Sequence, residues 1–232
     1  MNRRWVKKYK IKLISISIVL LFIIMGRLFI AEICLVPSQS MEPSILRGDI
    51  LIFDKTRYGA LLPRRFADIP IINFFTWIPL LRMADYNIDW GYHRVVSRHK
   101  PRKNDVIVFY GFEDNIQLTK RICHIAYKGI PQKIGTTQKD NILKMAELDG
   151  KSLVYRRDIL YINGKHQSTY TPEQNFYYVM GDNRNNSTDS RKFGYIPESA
   201  IIGKMGFVLF SWDKDGDIFH KIRWNRIFHS IK

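Results

Sequence analysis

The apolar residues fall into one continuous run near the N-terminus and then into short runs of four or five, each bounded by turn residues. Leu13 to Gly26 is a stretch of fourteen residues without a charge. A bilayer needs about 20 apolar residues, but Arg27 stands where a long cationic side chain can reach the interface from a helix end. The pattern therefore predicts a helix running past Arg27 to about Ile30 or beyond, with an anchor over 13–32. A cleaved signal peptide is the alternative. Ala31 has Phe29 two positions earlier, too large for a small-x-small cleavage site, which favours retention. Arg3, Arg4, Lys7, Lys8, Lys10 and Lys12 precede the run, and the first acidic residue is Glu32. Basic residues before a span hold the N-terminus, 1–12, in the cytoplasm and send everything after Val36 to the far side.

Beyond the helix the runs are strand-like. Ile50-Leu51-Ile52-Phe53 follows the turn Arg47-Gly48-Asp49, and Val106-Ile107-Val108-Phe109 follows Lys103-Asn104-Asp105. Phe176-Tyr177-Tyr178-Val179-Met180 and the run from Ile201 to Phe210 supply further strands. The expectation is a mainly β protein with a catalytic core over 33–126 and 176–212. A smaller β lobe over 127–175 carries a hairpin signal at Asn163-Gly164. Three prolines (Pro63, Pro70, Pro79) break an aromatic-rich insertion at 61–83, which is either a loop dipping into lipid or a segment packed on the core. In the last stretch, 213–232, Trp224, Ile227, Phe228 and Ile231 share a face at helical spacing with Arg223, Arg226 and Lys232 off it. That spacing predicts a basic amphipathic helix.

Charge narrows the partners. Thirty-seven Lys and Arg against 21 Asp and Glu give +16, which fits a polyanion, either nucleic acid or an anionic lipid surface. The basic residues flank the apolar run, and no helix-turn-helix or zinc-finger spacing is present, so lipid is favoured and nucleic acid is not expected. Cys34 and Cys123 lie at the membrane border and beside Lys120, and are expected to be unpaired.

Candidate chemistry centres on Pro37-Ser38-Gln39-Ser40-Met41-Glu42-Pro43, just outside the predicted membrane. Serine needs a base. Neither His93 nor His124 has a triad context, and there is no Gly-x-Ser-x-Gly elbow or His-Glu-x-x-His metal helix. Ser97-x-x-Lys100 lacks its companion motifs. Lys120, 80 residues after Ser40 (120 − 40), lies among Ile116, Leu118, Ile122 and Cys123. Desolvation there can lower an amine pKa toward neutrality, although a strand lysine pointing to solvent fits the same fragment. The polar loop from Gly181 to Arg191 fits a bracing role. A calcium loop is disfavoured because Arg184 stands where a ligand oxygen is needed.

Taken together, Ser38-x-Ser40-Met41-x-Pro43, Lys120-Arg121 and Gly181-Asp182-Asn183-Arg184-x-Asn186-Ser187-x-Asp189-Ser190-Arg191 resemble the type I signal peptidases of bacteria. The resemblance implies a signal-peptidase-like β-fold and Ser40 as nucleophile, with Lys120 as general base oriented by Ser187. It places the oxyanion hole at the Ser38 hydroxyl and the Ser40 N–H. Asp189 is expected to pair with Arg191 and Arg121, with Gly181, Asp182 and Asn183 as supports and no metal or cofactor. Substrates would be secretory preproteins with small residues at the first and third positions before the cut, at a bacterial inner membrane spanned once. Ile122-Cys123-His124-Ile125-Ala126 departs from the family's glycine- and proline-containing turn, so the groove nearby should differ in shape. A pilin-type maturation peptidase, a self-cleaving repressor and a non-catalytic binding protein are the rival readings.

Overall fold

The computed structural model describes residues 3–97, 99–111, 116–133, 139–156, 159–162, 164–166, 168–213 and 221–231. These form two compact units, 1–32 with 54–99, and 33–53 with 100–232.

In the first unit, α1 (Arg3–Phe29) carries the 21-residue apolar-rich stretch Tyr9–Phe29, whose most apolar 18 residues have a mean hydropathy of 2.3 with none of them buried. At 1.5 Å per residue the whole stretch is about 31 Å, close to the hydrocarbon thickness of a bilayer. The last turn of α1 is clamped: Lys55 Nζ donates to the Arg27 carbonyl (2.9 Å) and pairs with Glu32 (2.7 Å), while Arg27 pairs with Glu32 (3.0 Å). A cation there answers the unsatisfied carbonyls of a helix C-terminus. The 61–83 insertion folds into 3-10 turns at Phe66–Asp68 and Ile72–Trp77 and a helix α2 (Pro79–Tyr86), which opens with proline where no N–H is required. Most of its large apolar side chains are exposed, which departs from a segment packed on the core. The Ser97 hydroxyl donates to the Arg57 carbonyl at 2.7 Å, a contact between distant parts of the unit; Arg98 of the same motif lies outside the described residues.

The second unit is built on strands β1 (Ala31–Leu35), β2 (Asp49–Asp54), β3 (Val106–Tyr110) and β4 (Gln117–Ala126). β5 (Gln132–Lys133), β6 (Leu153–Arg156), β7 (Ile159–Ile162), β8 (Lys165–His166) and β9 (Thr169–Tyr170) follow. β10 (Phe176–Met180), β11 (Ile196–Pro197) and β12 (Ile201–Ser211) complete the set. Seven strands make one sheet in the order β1-β2-β12-β3-β4-β10-β11. β3 and β10 both pair antiparallel with β4, fixing Ile107 opposite Lys120 and Met180 opposite Arg121. The expected hairpin forms from β7 and β8, with Asn163 outside the described residues.

Two elements differ from the sequence reading. Residues Lys139–Leu148, expected within a β lobe, form a helix α3, whose Ile142, Met145 and Ala146 pack on Ala126, Tyr170 and Phe176. At the C-terminus the helical spacing gives only a 3-10 turn, Trp224–Arg226, because the flanking chain bridges to β12 at Trp212–Ile222 and Phe207–Ser230. Arg226 does not face outward as the wheel implied. Its guanidinium meets Asp49 Oδ2 at 2.6 Å and Oδ1 at 3.2 Å. That carboxylate is fully buried and also accepts from Ser211 Oγ (2.6 Å) and the Leu46 N–H (2.9 Å). Lys232 lies outside the described residues.

Candidate active site

Ser40 lies in the turn that connects β1 to β2, held down by Met41 and Ile45, both buried. The turn closes through Glu42 N–H to the Gln39 carbonyl (3.1 Å) and Ile45 N–H to the Met41 carbonyl (2.9 Å). Lys120 comes from the middle of β4. Alternation along a strand puts Leu118, Lys120 and Ile122 on one face, and Ile122 is fully buried. Of the two readings of this lysine, the structure has the buried one: it is 3 % exposed. Its Nζ lies 2.6 Å from Ser40 Oγ in a hydrogen bond.

Burial lowers the Lys120 pKa from its ordinary 10.5, and the nearby carboxylates of Asp189 and Asp182 oppose that. A neutral amine at this distance accepts the serine proton, whereas an ammonium does not. Ser38 Oγ is 3.2 Å from Ser40 Oγ, a second hydroxyl within hydrogen-bonding distance of the first.

The loop from β10 to the short helix α4 (Ser190–Phe193) is tied to both catalytic candidates. Asn183 N–H donates to the Ser40 carbonyl (3.1 Å) and Asn183 Nδ2 to the Gln39 carbonyl (3.2 Å). Asp189, with no exposed side-chain surface, accepts from Arg191 Nε (2.8 Å), Arg191 Nη2 (2.9 Å) and the Gly181 N–H (3.0 Å). Burial pushes its pKa up, but the Arg191 and Gly181 hydrogen bonds outweigh this and hold it at about 2. The fork of Arg121 closes on Asp182, at 2.8 and 2.7 Å, where the resemblance had put Asp189. Burial raises Asp182 too, and Arg121 and Ser44 more than compensate, leaving its pKa below the ordinary value. Arg121 also donates to the Asn104 carbonyl (3.0 Å) and Ser44 Oγ (3.3 Å), partners that no motif in the sequence flagged.

Ser187 is placed differently from the expectation that it bonds Lys120. It adds to lowering Asp189, but its Oγ is buried without a partner in hydrogen-bonding geometry, so that contact is loose. Gly181 explains its own identity: a Cβ there would sit 2.2 Å from Ser187 Oγ and 2.4 Å from the Ser40 carbonyl. Arg184, set aside in the sequence as an obstacle to calcium, reaches Met180 Sδ (2.8 Å) and Cys123 Sγ (3.7 Å). Cys34 and Cys123 are not joined in a disulfide.

Ser38, Ser40, Lys120, Arg184, Ser187 and Arg191 line one open cleft of about 610 Å³. Among the described residues no group of three His, Cys, Asp or Glu is placed to hold a metal ion. The arrangement is a serine hydroxyl, a buried amine in contact with it and a second hydroxyl beside the first. These are the parts acyl transfer requires.

Comparison with known proteins gives the same direction. The family model described as signal peptidase, peptidase S26, matches residues 5–212. Signal peptidase I of Rickettsia typhi is 28% identical over 274 residues, covering 99% of this chain and 97% of its own. Signal peptidase I of Aquifex aeolicus is 24% identical over 228 residues, covering 86% of this chain and 84% of its own. A crystal structure of a signal peptidase I from Enterococcus faecalis is 26% identical and covers 47% of this chain and 98% of its own, with a TM-score of 0.24.

Proposed function

The chain belongs to the signal peptidase, peptidase S26, family of serine peptidases, and from that premise we propose that it is a membrane-anchored endopeptidase removing N-terminal signal peptides from secreted preproteins by a Ser40/Lys120 dyad. The observation that carries this reading is the 2.6 Å contact between Ser40 Oγ and a Lys120 amine that is buried and lowered in pKa.

In the proposed mechanism Ser40 Oγ attacks the scissile carbonyl as its proton passes to the neutral Lys120. The Ser38 hydroxyl and the Ser40 N–H receive the tetrahedral oxyanion, donors worth around 3 kcal/mol each when preset. Lysine in its ammonium form then protonates the departing amine, leaving an ester on Ser40. Lys120, neutral again, takes a proton from water as the water oxygen attacks the ester carbonyl. The ammonium returns that proton to Ser40 Oγ as the C–O ester bond breaks and the acyl group leaves as a carboxylic acid. Asp182 with Arg121, and Asp189 with Arg191, hold the loop and Asn183 holds the turn of Ser40. Ser187 acts through packing in the resting state, and on substrate binding it can turn its unpaired hydroxyl to Lys120.

The proposed substrates carry small residues at the first and third positions before the cut. Ser40 follows the end of α1 by eleven residues (40 − 29), a chain length that keeps it within reach of the bilayer face. The basic residues in the first turns of α1, ahead of its apolar run, support a cytoplasmic N-terminus and an extracytoplasmic catalytic unit at a bacterial inner membrane. Anchoring raises the effective concentration of enzyme at the membrane-bound cleavage site. The test is processing of a purified preprotein in detergent by the parent, Ser40→Ala and Lys120→Ala. Both variants should be inactive while still folded; processing equal to the parent by both would overturn the dyad.

A further inference from the structure

The catalytic mechanism makes no use of the most exposed apolar surface of the first unit outside α1. Between Ile69 and Ala84 the only charged residue is Arg82. Phe74 is 68% exposed, Trp77 83%, Leu80 76% and Met83 71%, and the rings of Phe74 and Trp77 stack with centroids 6.0 Å apart. Water is a poor solvent for such a cluster, and contiguous apolar patches on this scale mark an interaction surface.

Three observations identify what covers it. First, the Thr76 hydroxyl and much of the segment's backbone are hydrogen-bonded locally. The Thr76 hydroxyl donates to the Asn73 carbonyl (2.6 Å), Asn73 N–H to the Ile69 carbonyl (3.0 Å), Phe74 N–H to Ile71 (3.2 Å), Ile78 N–H to Phe75 (3.1 Å) and Arg82 N–H to Ile78 (3.0 Å). A hydrocarbon environment requires this of any backbone that enters it.

Second, the acids around the patch are engaged. Asp85 accepts the Phe66 N–H (2.9 Å), Asp68 accepts the Arg64 N–H (2.9 Å) and Asp89 pairs with Arg64 (2.5 Å). Arg82 is exposed and has no side-chain hydrogen bond or ion pair among the described residues. The charge left over is a cation, which complements a lipid phosphate and would be left without a counter-charge against a second copy of the same patch. Third, the patch belongs to the same compact unit as α1, in its 54–99 segment, and the end of α1 is clamped by Lys55 near the start of that segment.

We propose that the Phe74–Met83 knuckle is a second membrane contact, an interfacial wedge with Phe74, Trp77, Leu80 and Met83 in the acyl boundary and Arg82 at the phosphates. The proposal rests on α1 being the anchor and adds a point of attachment to it. Two points of contact restrict the orientation of the unit at the lipid surface, which one helix alone leaves free to swivel.

The test uses the full chain in vesicles of phosphatidylcholine and phosphatidylglycerol. In a Cys34→Ala, Cys123→Ala background, Trp77→Cys carries a polarity-sensitive fluorophore, and Lys103→Cys, an exposed polar position, serves as the aqueous reference. The label at 77 should be blue-shifted, quenched several-fold more by a shallow lipid-borne nitroxide than the label at 103, and protected from aqueous iodide. A label at 77 open to iodide in chains that float with the vesicles overturns the wedge while leaving the anchor intact. Protection from both quenchers, meaning that another protein chain covers the patch, also overturns it. Chains that fail to float overturn the anchor and the wedge together. None of these readouts depends on peptidase activity.

Discussion

Replacing Gly181 by alanine tests the geometry of the site with one methyl group. The new Cβ would lie 2.2 Å from Ser187 Oγ, 2.6 Å from Ser187 Cβ and 2.4 Å from the Ser40 carbonyl oxygen, whereas ordinary contact begins at 3.4 Å. Ser187 can change rotamer to relieve the first clash. The carbonyl has no such freedom, since the Asn183 N–H holds it at 3.1 Å and its residue carries the proposed nucleophile. Restoring contact distance there needs 3.4 − 2.4 = 1.0 Å of movement. Displacement on that scale would carry the Ser40 Oγ to Lys120 Nζ separation from 2.6 Å to the edge of hydrogen bonding. A misplacement of about 1 Å costs about a hundredfold in rate, equivalent to about 2.7 kcal/mol of transition-state stabilisation. Overpacking should lower global stability by about 1–3 kcal/mol. The measurements are kcat/KM on a preprotein in detergent and a thermal melt of the same sample. A folded Gly181→Ala enzyme within a few-fold of the parent would refute the reasoning. The double variant Gly181→Ala with Ser187→Gly locates the strain: it should stay impaired, because the carbonyl clash remains, and full recovery would mean that only Ser187 had to move.

Four further outcomes follow from the charges. Because burial lowers the Lys120 pKa below 10.5, kcat/KM should rise with pH through that lowered value. Between it and 10.5 the unfolded chain binds more protons, so Lys120's contribution to stability should also rise with pH, a slope that Lys120→Met should remove in melts at stepped pH. Arg121→Gln leaves the Asp182 carboxylate without its guanidinium, strengthening a charge that raises Lys120, so the acid limb of kcat/KM should move to higher pH; a limb that stays in place contradicts the pairing. Asp189, held at about 2, gives stability that is complete above its ordinary 3.8 and lost as pH falls toward 2. Asp189→Asn should remove on the order of 2 kcal/mol at neutral pH and flatten the acid limb of unfolding. Arg226→Met strands the buried Asp49 carboxylate and should cost about 3–5 kcal/mol in denaturant unfolding, most of it recovered when Asp49→Asn is added.

The parts of this fold that the sequence revealed are those whose signal is local. The apolar run of α1, the strands around Ile50–Phe53 and Val106–Phe109 and the turn at Gly48 each carry their own pattern, and Ser40 and Lys120 sit in motifs. The face on which Lys120 lies was not local information: Thr119 and Arg121 flank it, and only pairing with both β3 and β10 decides which side of β4 is inside. The choice between Asp182 and Asp189 for Arg121 was equally hidden, since two carboxylates seven residues apart in one loop look alike until the loop is folded. Helix α3 had a legible signal in Ile142, Met145 and Ala146, spaced i, i+3, i+4, but its polar surroundings masked it. Around Arg226 the local pattern misled, because a helical wheel assumes the chain remains free, and here bridges to β12 prevent the helix and Asp49 takes the guanidinium.

These long-range pairings bear directly on the chemistry. The proposed lysine base has to be neutral, yet Asp182 and Asp189 both raise the Lys120 pKa, so the loop proposed to brace the site also works against it. The fold reconciles the two by giving each carboxylate its own guanidinium, Arg121 for Asp182 and Arg191 for Asp189. Each arginine places a positive charge beside the negative one and thereby reduces the field reaching the amine. Desolvation then remains the largest influence on Lys120, and it is supplied by the apolar face of β4, with Ile122 in line with the lysine and β3 and β10 on either side. The ion pairs and the strand face are therefore one device: removing either arginine raises the pKa of Lys120 without touching it, and exposing the strand face does the same by readmitting water.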